Sequence, residues 1–262
     1  MKKKSFIYVF LLFLMGCYDE ETPTVVPDVP EKKFLVSEIY DYKNQLVATY
    51  EYDAKNRLTK RSGTNSSTGY YSEYLFEYEN EKVSNIIFID QSFSGANHNI
   101  KIFYDAVGKI LKDETYRQGQ LLNTRTYNYN PNGQIRSITT GGKENSFFEY
   151  SDKGNVMKVK HINTNPQTNN TTENYTLFKY DGFQRPPFGI NYIFQIELLP
   201  QFGTEAVFER NISPMNMTQI DGGSQWVYTY NNENLPATIE TRWKDVQTLE
   251  PIMLRIKYKE VK

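Results

Sequence analysis

The chain has 262 residues, with 30 Lys and Arg against 31 Asp and Glu, two His and one Cys. Near-zero net charge excludes a broad electrostatic footprint for nucleic acid, and a lone cysteine excludes an internal disulfide. A mean hydropathy of −0.64 excludes a membrane-embedded body, while 21 Tyr and 16 Phe favour pleated, half-buried β structure.

Residues 1–16 read as a secretory signal. Lys2, Lys3 and Lys4 precede the apolar run Phe6–Met15, which is too short to cross a bilayer as a helix. The run ends in Leu14-Met15-Gly16-Cys17, which resembles a bacterial lipobox. That resemblance implies a diacylglycerol on Cys17, cleavage before it, and a membrane anchor made of lipid; a plain secretory signal that happens to carry a cysteine is the other reading. Tyr18-Asp19-Glu20-Glu21 resembles the surface-export signal of Bacteroidota-type lipoproteins, which implies the outer leaflet of the outer membrane; a merely solvated linker also fits. Pro23, Pro27 and Pro30 make residues 17–33 an extended tether, with a reach of roughly 50 Å at ~3.3 Å per residue. Without residues 1–16, 27 basic residues face 31 acidic ones, a net charge of −4.

Residues 34–262 are expected to form one repeat domain. Tyr50-Glu51-Tyr52-Asp53 returns as Phe76-Glu77-Tyr78, Phe103-Tyr104-Asp105, Tyr127-Asn128-Tyr129-Asn130, Phe148-Glu149-Tyr150, Phe178-Lys179-Tyr180-Asp181 and Tyr228-Thr229-Tyr230-Asn231, and Ile256-Lys257-Tyr258 closes the series. Two rings two residues apart face one side of a strand. The Asp or Asn that follows starts a turn, and Asn56, Gly108, Gly133, Gly154 or Asn234 stands where a left-handed residue closes it. Each unit is therefore a hairpin. The units at Lys82 and Gln184 lack the Gly or Asn, so different turns are expected there. About eight hairpins, or 14–18 antiparallel strands in an up-and-down meander, must roll up or close into a barrel. The pattern Tyr-x-Tyr-Asp-x-x-Gly-x-Ile/Leu resembles the YD repeat of Rhs-type proteins, which implies a spiralling β shell. The whole layout is closer to a family of Bacteroidota lipoproteins of unknown function with a porin-like fold. Neither family lends a catalytic residue.

Residues 181–227 interrupt the rhythm. Pro186-Pro187-Phe188-Gly189 stops a strand, and residues 190–199 carry an apolar pattern expected to form one short helix plugging an end of the sheet; a buried strand is the alternative. Phe208–Met217 looks like a decayed repeat, and Asn163–Asn174 like an exposed hairpin loop.

Chemistry is sparse. His98 and His161 are far apart in sequence, no serine sits in a Gly-x-Ser-x-Gly elbow, and no glycine-rich loop precedes a helix. Asp53, Asp105, Asp152 and Asp181 fit turn chemistry better than calcium ligation or glycosidase chemistry, and the ring stripe fits a β core better than a sugar platform. No catalytic, metal or cofactor site is expected, and no cofactor. The expectation is a non-catalytic outer-membrane lipoprotein, tethered through Cys17, that binds a glycan, a peptide or an outer-membrane partner. A structural scaffold is the alternative, and a hydrolase with two facing carboxylates inside the sheet is the remote one.

Overall fold

The computed structural model describes residues 33–64, 70–165, 167–190, 198, 211–221, 223–242 and 252–261. The signal, Cys17, nearly all of the tether and most of the 190–199 segment lie outside them. The described strands are β1 Lys33–Asp41, β2 Leu46–Tyr52, β3 Leu58–Thr64, β4 Tyr71–Glu79, β5 Lys82–Asp90, β6 His98–Tyr104, β7 Ile110–Arg117 and β8 Gln120–Tyr129. They continue as β9 Ile135–Thr140, β10 Lys143–Tyr150, β11 Val156–Thr164, β12 Thr171–Gln184, β13 Met215–Ile220, β14 Gln225–Tyr230, β15 Pro236–Arg242 and β16 Ile252–Val261.

Every strand runs antiparallel to its neighbours in the chain. The circuit closes where β1 pairs with β16, with Val36 opposite Tyr258 and Ile39 opposite Ile256, so the fold is a closed sixteen-stranded barrel. Closure removes the exposed edges that an open meander would leave. The chain enters β1 and leaves β16 at one end, here the terminal rim, which also carries the even-to-odd turns. The odd-to-even turns lie at the distal rim.

The expected turn chemistry is present. In Asp53–Arg57 the Asn56 N–H donates to the Asp53 carbonyl and the Asp53 N–H to the Arg57 carbonyl, and the Asp53 carboxylate accepts from the N–H groups of Lys55 and Arg57. Asp105–Lys109 and Asn231–Leu235 repeat the whole arrangement, as does Asp41–Gln45 at the distal rim. Asn56 and Gly154 have φ of 62° and 82°, the left-handed conformation that the third loop residue requires. The ladder slips between Glu51 and Tyr52, and at the matching step of the other repeats, a recurrent bulge that sharpens the local twist.

Two units depart, as expected. β4 and β5 are joined by Asn80 and Glu81 alone, both at positive φ. At Asp181 there is no turn at all: β12 continues to Gln184 and meets β13 only after a long connection. Asp152 stands one place after the turn-starting Ser151, whose hydroxyl accepts the Asn155 N–H. The segment Asn163–Asn174 is mostly strand, with its turn confined to residues 165–170.

Alternation sorts the side chains by face. Each of the sixteen strands sends at least one buried residue into a single apolar cluster, from Val36 on β1 through Tyr50, Leu58, Phe76, Ile102 and Tyr127 to Leu254 on β16. The first ring is therefore core at Tyr50, Phe76, Tyr127, Phe148 and Phe178, whereas Ile102 takes the inward place beside an exposed Phe103 and Tyr228 is half-buried. In six units the closing tyrosine is half-buried, and its hydroxyl crosses to the neighbouring strand. Tyr52 donates to the Val36 carbonyl, Tyr78 to Leu58, Tyr104 to Val83, Tyr129 to Ile110, Tyr150 to Ile135 and Tyr258 to Pro236, all at 2.7–2.9 Å. Each accepting residue precedes the first ladder pair with the tyrosine's strand; Leu58 comes before Lys60↔Leu75, for example. The stagger of the barrel leaves these carbonyls without a ladder partner, and the tyrosines supply one. The outer wall is charged, with Lys60–Glu73, Lys112–Glu114 and Lys158–Glu149 paired on it at 2.6, 2.6 and 3.0 Å.

Candidate binding cavity at the terminal rim

Residues 185–190, which open the connection between β12 and β13, cross from β12 to β1 and β3 at the terminal opening. Prolines at 186 and 187 cannot donate to a ladder, and the chain there leaves the wall. The Val36 N–H donates to the Pro187 carbonyl at 3.0 Å and the Leu58 N–H to the Gly189 carbonyl at 3.4 Å. The Phe188 ring packs 5.2 Å from Tyr50, whose hydroxyl donates to the Leu198 carbonyl. Gly189 has φ of +64°, and a Cβ there would lie 2.4 Å from the Asn56 carbonyl oxygen, so only glycine fits this crossing.

The returning end is bonded to the other side of the barrel. Ser213 Oγ accepts the Val156 N–H at 3.1 Å and donates to the Tyr180 hydroxyl at 2.9 Å, which inserts the serine where the other repeats have a direct tyrosine-to-strand bond. The Asn155 side chain accepts the Met215 N–H at 3.1 Å. β3 and β11 are eight strands apart in either direction around the barrel, so these contacts anchor the connection on opposite walls. Pro187, Gly189 and Ser213, which flank the segment expected to plug one end, are bonded to the wall at the terminal rim. The helix expected at 190–199 lies outside the described residues apart from Ile190 and Leu198.

Beneath the crossing is a cavity of about 430 Å³ lined by Leu35, residues 184–190, Leu198, Asn211 and Pro214. Its lining is mixed, with Gln184, Arg185 and Asn211 beside Leu35, Phe188 and Leu198. Burial lowers the Arg185 pKa from the usual guanidinium value. A concave pocket of this size with a mixed lining, away from any cluster of catalytic groups among the described residues, is suited to holding a ligand.

The residues singled out from the sequence are scattered. Asp53 and Asp105 serve turns, whereas Asp181 caps the Phe183 N–H and accepts the Tyr230 hydroxyl. His98 packs in a tilted arrangement 4.9 Å from the Phe88 ring, and its Nδ1 lies 2.9 Å from the Ala96 carbonyl. His161 lies across the ladder from Ser146, 3.2 Å from its hydroxyl. Burial lowers both histidine pKa values, which favours the neutral rings. The Ser146–His161 contact is what adjacent positions on one face of a sheet produce. Among the described residues no group of three or more His, Cys, Asp or Glu is placed to hold a metal.

Sequence reasoning missed four buried charges inside the barrel. Asp113 accepts from Arg125 Nε at 3.0 Å and from the Tyr127 hydroxyl. Asp90 accepts the N–H groups of Ser92 and Phe93 at 3.0 and 2.8 Å. Both carboxylates are thus committed to fixed donors. Arg61 is fully buried between Tyr50 and Tyr74 in the ladder; its Nη2 donates to the Thr64 carbonyl at 3.3 Å, while Nε and Nη1 have no partner. Their inward phase was the available signal: Asp113 and Arg125 occupy positions that alternation reserves for the core.

No protein-family model and no curated protein matches the chain. Among solved structures, a porin-like protein from Bacteroides uniformis is 16% identical, with 86% of this chain and 96% of that chain covered and a TM-score of 0.50. The likeness is one of fold. A porin-like protein from Bacteroides vulgatus is 12% identical over 86% of this chain and 99% of that one at a TM-score of 0.39, and a chain of the TcdB2–TccC3–Cdc42 complex is 16% identical over 80% and 10% at 0.31. A membrane pore is apolar outside and polar within, whereas the outer face of this barrel mixes ion pairs with exposed apolar residues such as Leu111, Tyr175 and Leu177. Here the ion pairs face outward and the apolar cluster fills the interior.

Proposed function

We propose that the protein is a non-catalytic binding barrel of the bacterial envelope, held to the outer membrane by lipid on Cys17, with its ligand in the cavity under the Pro186–Ile190 crossing. The observation that carries the reading is the combination of ion pairs on the outer wall, a buried apolar cluster inside it, and a roomy cleft at the terminal rim. An outward Lys or Arg at a bilayer midplane costs about 2–4 kcal/mol, so this wall favours water, and membrane attachment falls to the tether. Carboxylates inside the barrel that are already bound to Arg125, Tyr127 or backbone N–H groups support a passive role. Glycans and peptides of the envelope are the ligand classes that the mixed lining suits.

Two measurements test this. Cells expressing the chain should incorporate labelled fatty acid into it, and Cys17→Ala should abolish the label and release the protein from membranes; a label that survives the substitution refutes the anchor. Envelope glycans and peptides should include one that raises the melting temperature of the barrel, and Leu35→Trp, which fills the cavity, should remove that shift. Binding that ignores Leu35→Trp would place the ligand elsewhere.

A further inference from the structure

At 14 residues β12 is the longest of the described strands, and its two neighbours do not match it equally. From Thr171 to Leu177 it is laddered to β11 without a slip, Thr171 opposite Thr164 and Leu177 opposite Lys158. Its pairing with β13 begins only at Phe178, opposite Ile220, and the last bond on that side runs from the Asp221 N–H to the Leu177 carbonyl at 2.8 Å. Residues 171–176 therefore stand beyond the short β13–β14 hairpin at the distal rim, one side laddered and the other open. Residues two apart point their main-chain groups the same way. Thr171, Glu173 and Tyr175 thus turn their N–H and C=O groups to the open side, as Leu177 does, and among the described residues nothing bonds them there. β8 overruns β9 by residues 120–124 in the same manner, a shorter reach.

An open edge is a template for another strand, and natural proteins blunt such edges with proline, lysine or a bulge. Thr171-Thr172-Glu173-Asn174-Tyr175-Thr176 has no proline, no lysine and no slip in its ladder, and its threonines and tyrosine favour extended chain. On the outer face Tyr175 and Leu177 are 53% and 47% accessible, neighbours along the edge that can flank an apolar side chain of an added strand. A single extended strand fits best. Two copies of this edge paired antiparallel obstruct each other: centred on Glu173 they set two carboxylates side by side. Centred on Asn174 they bring Thr171 opposite Leu177 and drive each hairpin tip, residues 165–170, onto the place that β13 fills beside Phe178. A lone peptide meets neither obstacle.

We propose that residues 171–176 of β12 are a docking edge for an extended peptide, which joins the sheet by main-chain hydrogen bonds and lays an apolar side chain on Tyr175 and Leu177. The inference goes beyond the binding reading above. The edge lies at the rim opposite the cavity, and main-chain recognition does not need Cys17 to be lipidated. Main-chain bonds supply the affinity, and the alternating side chains of the peptide set its preference.

The test uses residues 32–262, which form a compact unit by themselves, and a displayed library of random linear peptides. Peptides should be enriched on the wild-type barrel, and a selected peptide, made synthetically, should bind Tyr175→Pro about tenfold or more weakly. The Tyr175 N–H points away from β11, so proline there spares that ladder and blocks the edge alone. Methylating alternate amide nitrogens of the peptide should abolish binding in one phase and spare it in the other, as a strand laddered on one side requires. Leu35→Trp, in the cavity, should leave peptide binding unchanged; its loss in that variant would move the peptide to the cavity and overturn the edge while leaving the cavity reading standing. Far-UV circular dichroism checks folding, and Tyr175→Lys replaces Tyr175→Pro if the proline variant does not fold. The proposal is overturned if no peptide is enriched, or if the selected peptides bind the edge variants like wild type. It is equally overturned if sedimentation velocity shows a dimer that the edge variants dissolve.

Discussion

The hydroxyl of Tyr78 lies 2.7 Å from the Leu58 carbonyl, and that of Tyr104 lies 2.8 Å from Val83. Removing one of these hydroxyls leaves a carbonyl without its partner, so Tyr104→Phe should cost about 1–2 kcal/mol in denaturant unfolding. Burial pushes both phenols up to about 12, against the small opposing pull of Arg57 on Tyr78. A phenol raised on folding binds its proton more tightly in the native state. Its contribution is complete below the unfolded value near 10 and is lost as the pH climbs from there toward 12. Ultraviolet titration should show Tyr78, Tyr104 and the other tyrosines bonded across the ladder ionising together on alkaline unfolding in that window, and smooth, independent titration of these groups from pH 10 would contradict the hydroxyl contacts. Arg61 presents the opposite case, a buried cation with two idle donors. Replacing such a group with an apolar one of similar length is often neutral or stabilising, so Arg61→Met should leave the melting temperature unchanged or raised. Arg125→Ala, which abandons buried Asp113, should cost about 3–5 kcal/mol.

At the scale of the hairpin, the left-handed residue decides the turn. Gly154 has φ of +82°, and Gly154→Ala should destabilise by about 1–2 kcal/mol. Asn56→Gly, which keeps the required conformation, should be nearly neutral in the same thermal-melt comparison. These turns were legible in advance because Asp53 and Asn56 act within five residues of each other. β12 was not. Tyr180-Asp181 matches the motif, yet Asp181 is followed by Gly182 rather than by a closing residue three places on, and the strand runs through. The ion pairs on the wall, such as Lys160–Glu173 at 3.3 Å, are exposed and contribute less than about 1 kcal/mol each. Their weight lies in keeping the outer face wet.

For the molecule as a whole, β16 is the piece that makes the sheet a barrel. Eight residue pairs join it to β1, more than two hundred positions away in sequence. Deleting residues 252–262 opens two edges and exposes the inner face of β1 and β15, so the shortened chain should lose its cooperative thermal transition; a sharp melt in the truncated chain would mean that closure adds little. The same closure gives the molecule two unlike ends, one holding the cavity beside residues 185–190 and one where β12 overruns β13. The candidate cavity was only half legible. Pro186-Pro187-Phe188-Gly189 marked the departure from the wall, but nothing local showed that Phe188 would meet Tyr50 or that Ser213 would reach Val156.

The linear chain by itself determined the rhythm of rings, the turn residues, the antiparallel meander and the approximate number of strands, because each depends on alternation and hydrogen bonds between near neighbours. Only the tertiary structure decided that the first strand meets the last, that Asp90, Arg61, Asp113 and Arg125 share the interior, and which rim holds the cavity. Those outcomes depend on packing among residues far apart in sequence, where the stagger of a closed sheet, rather than any local preference, sets who meets whom.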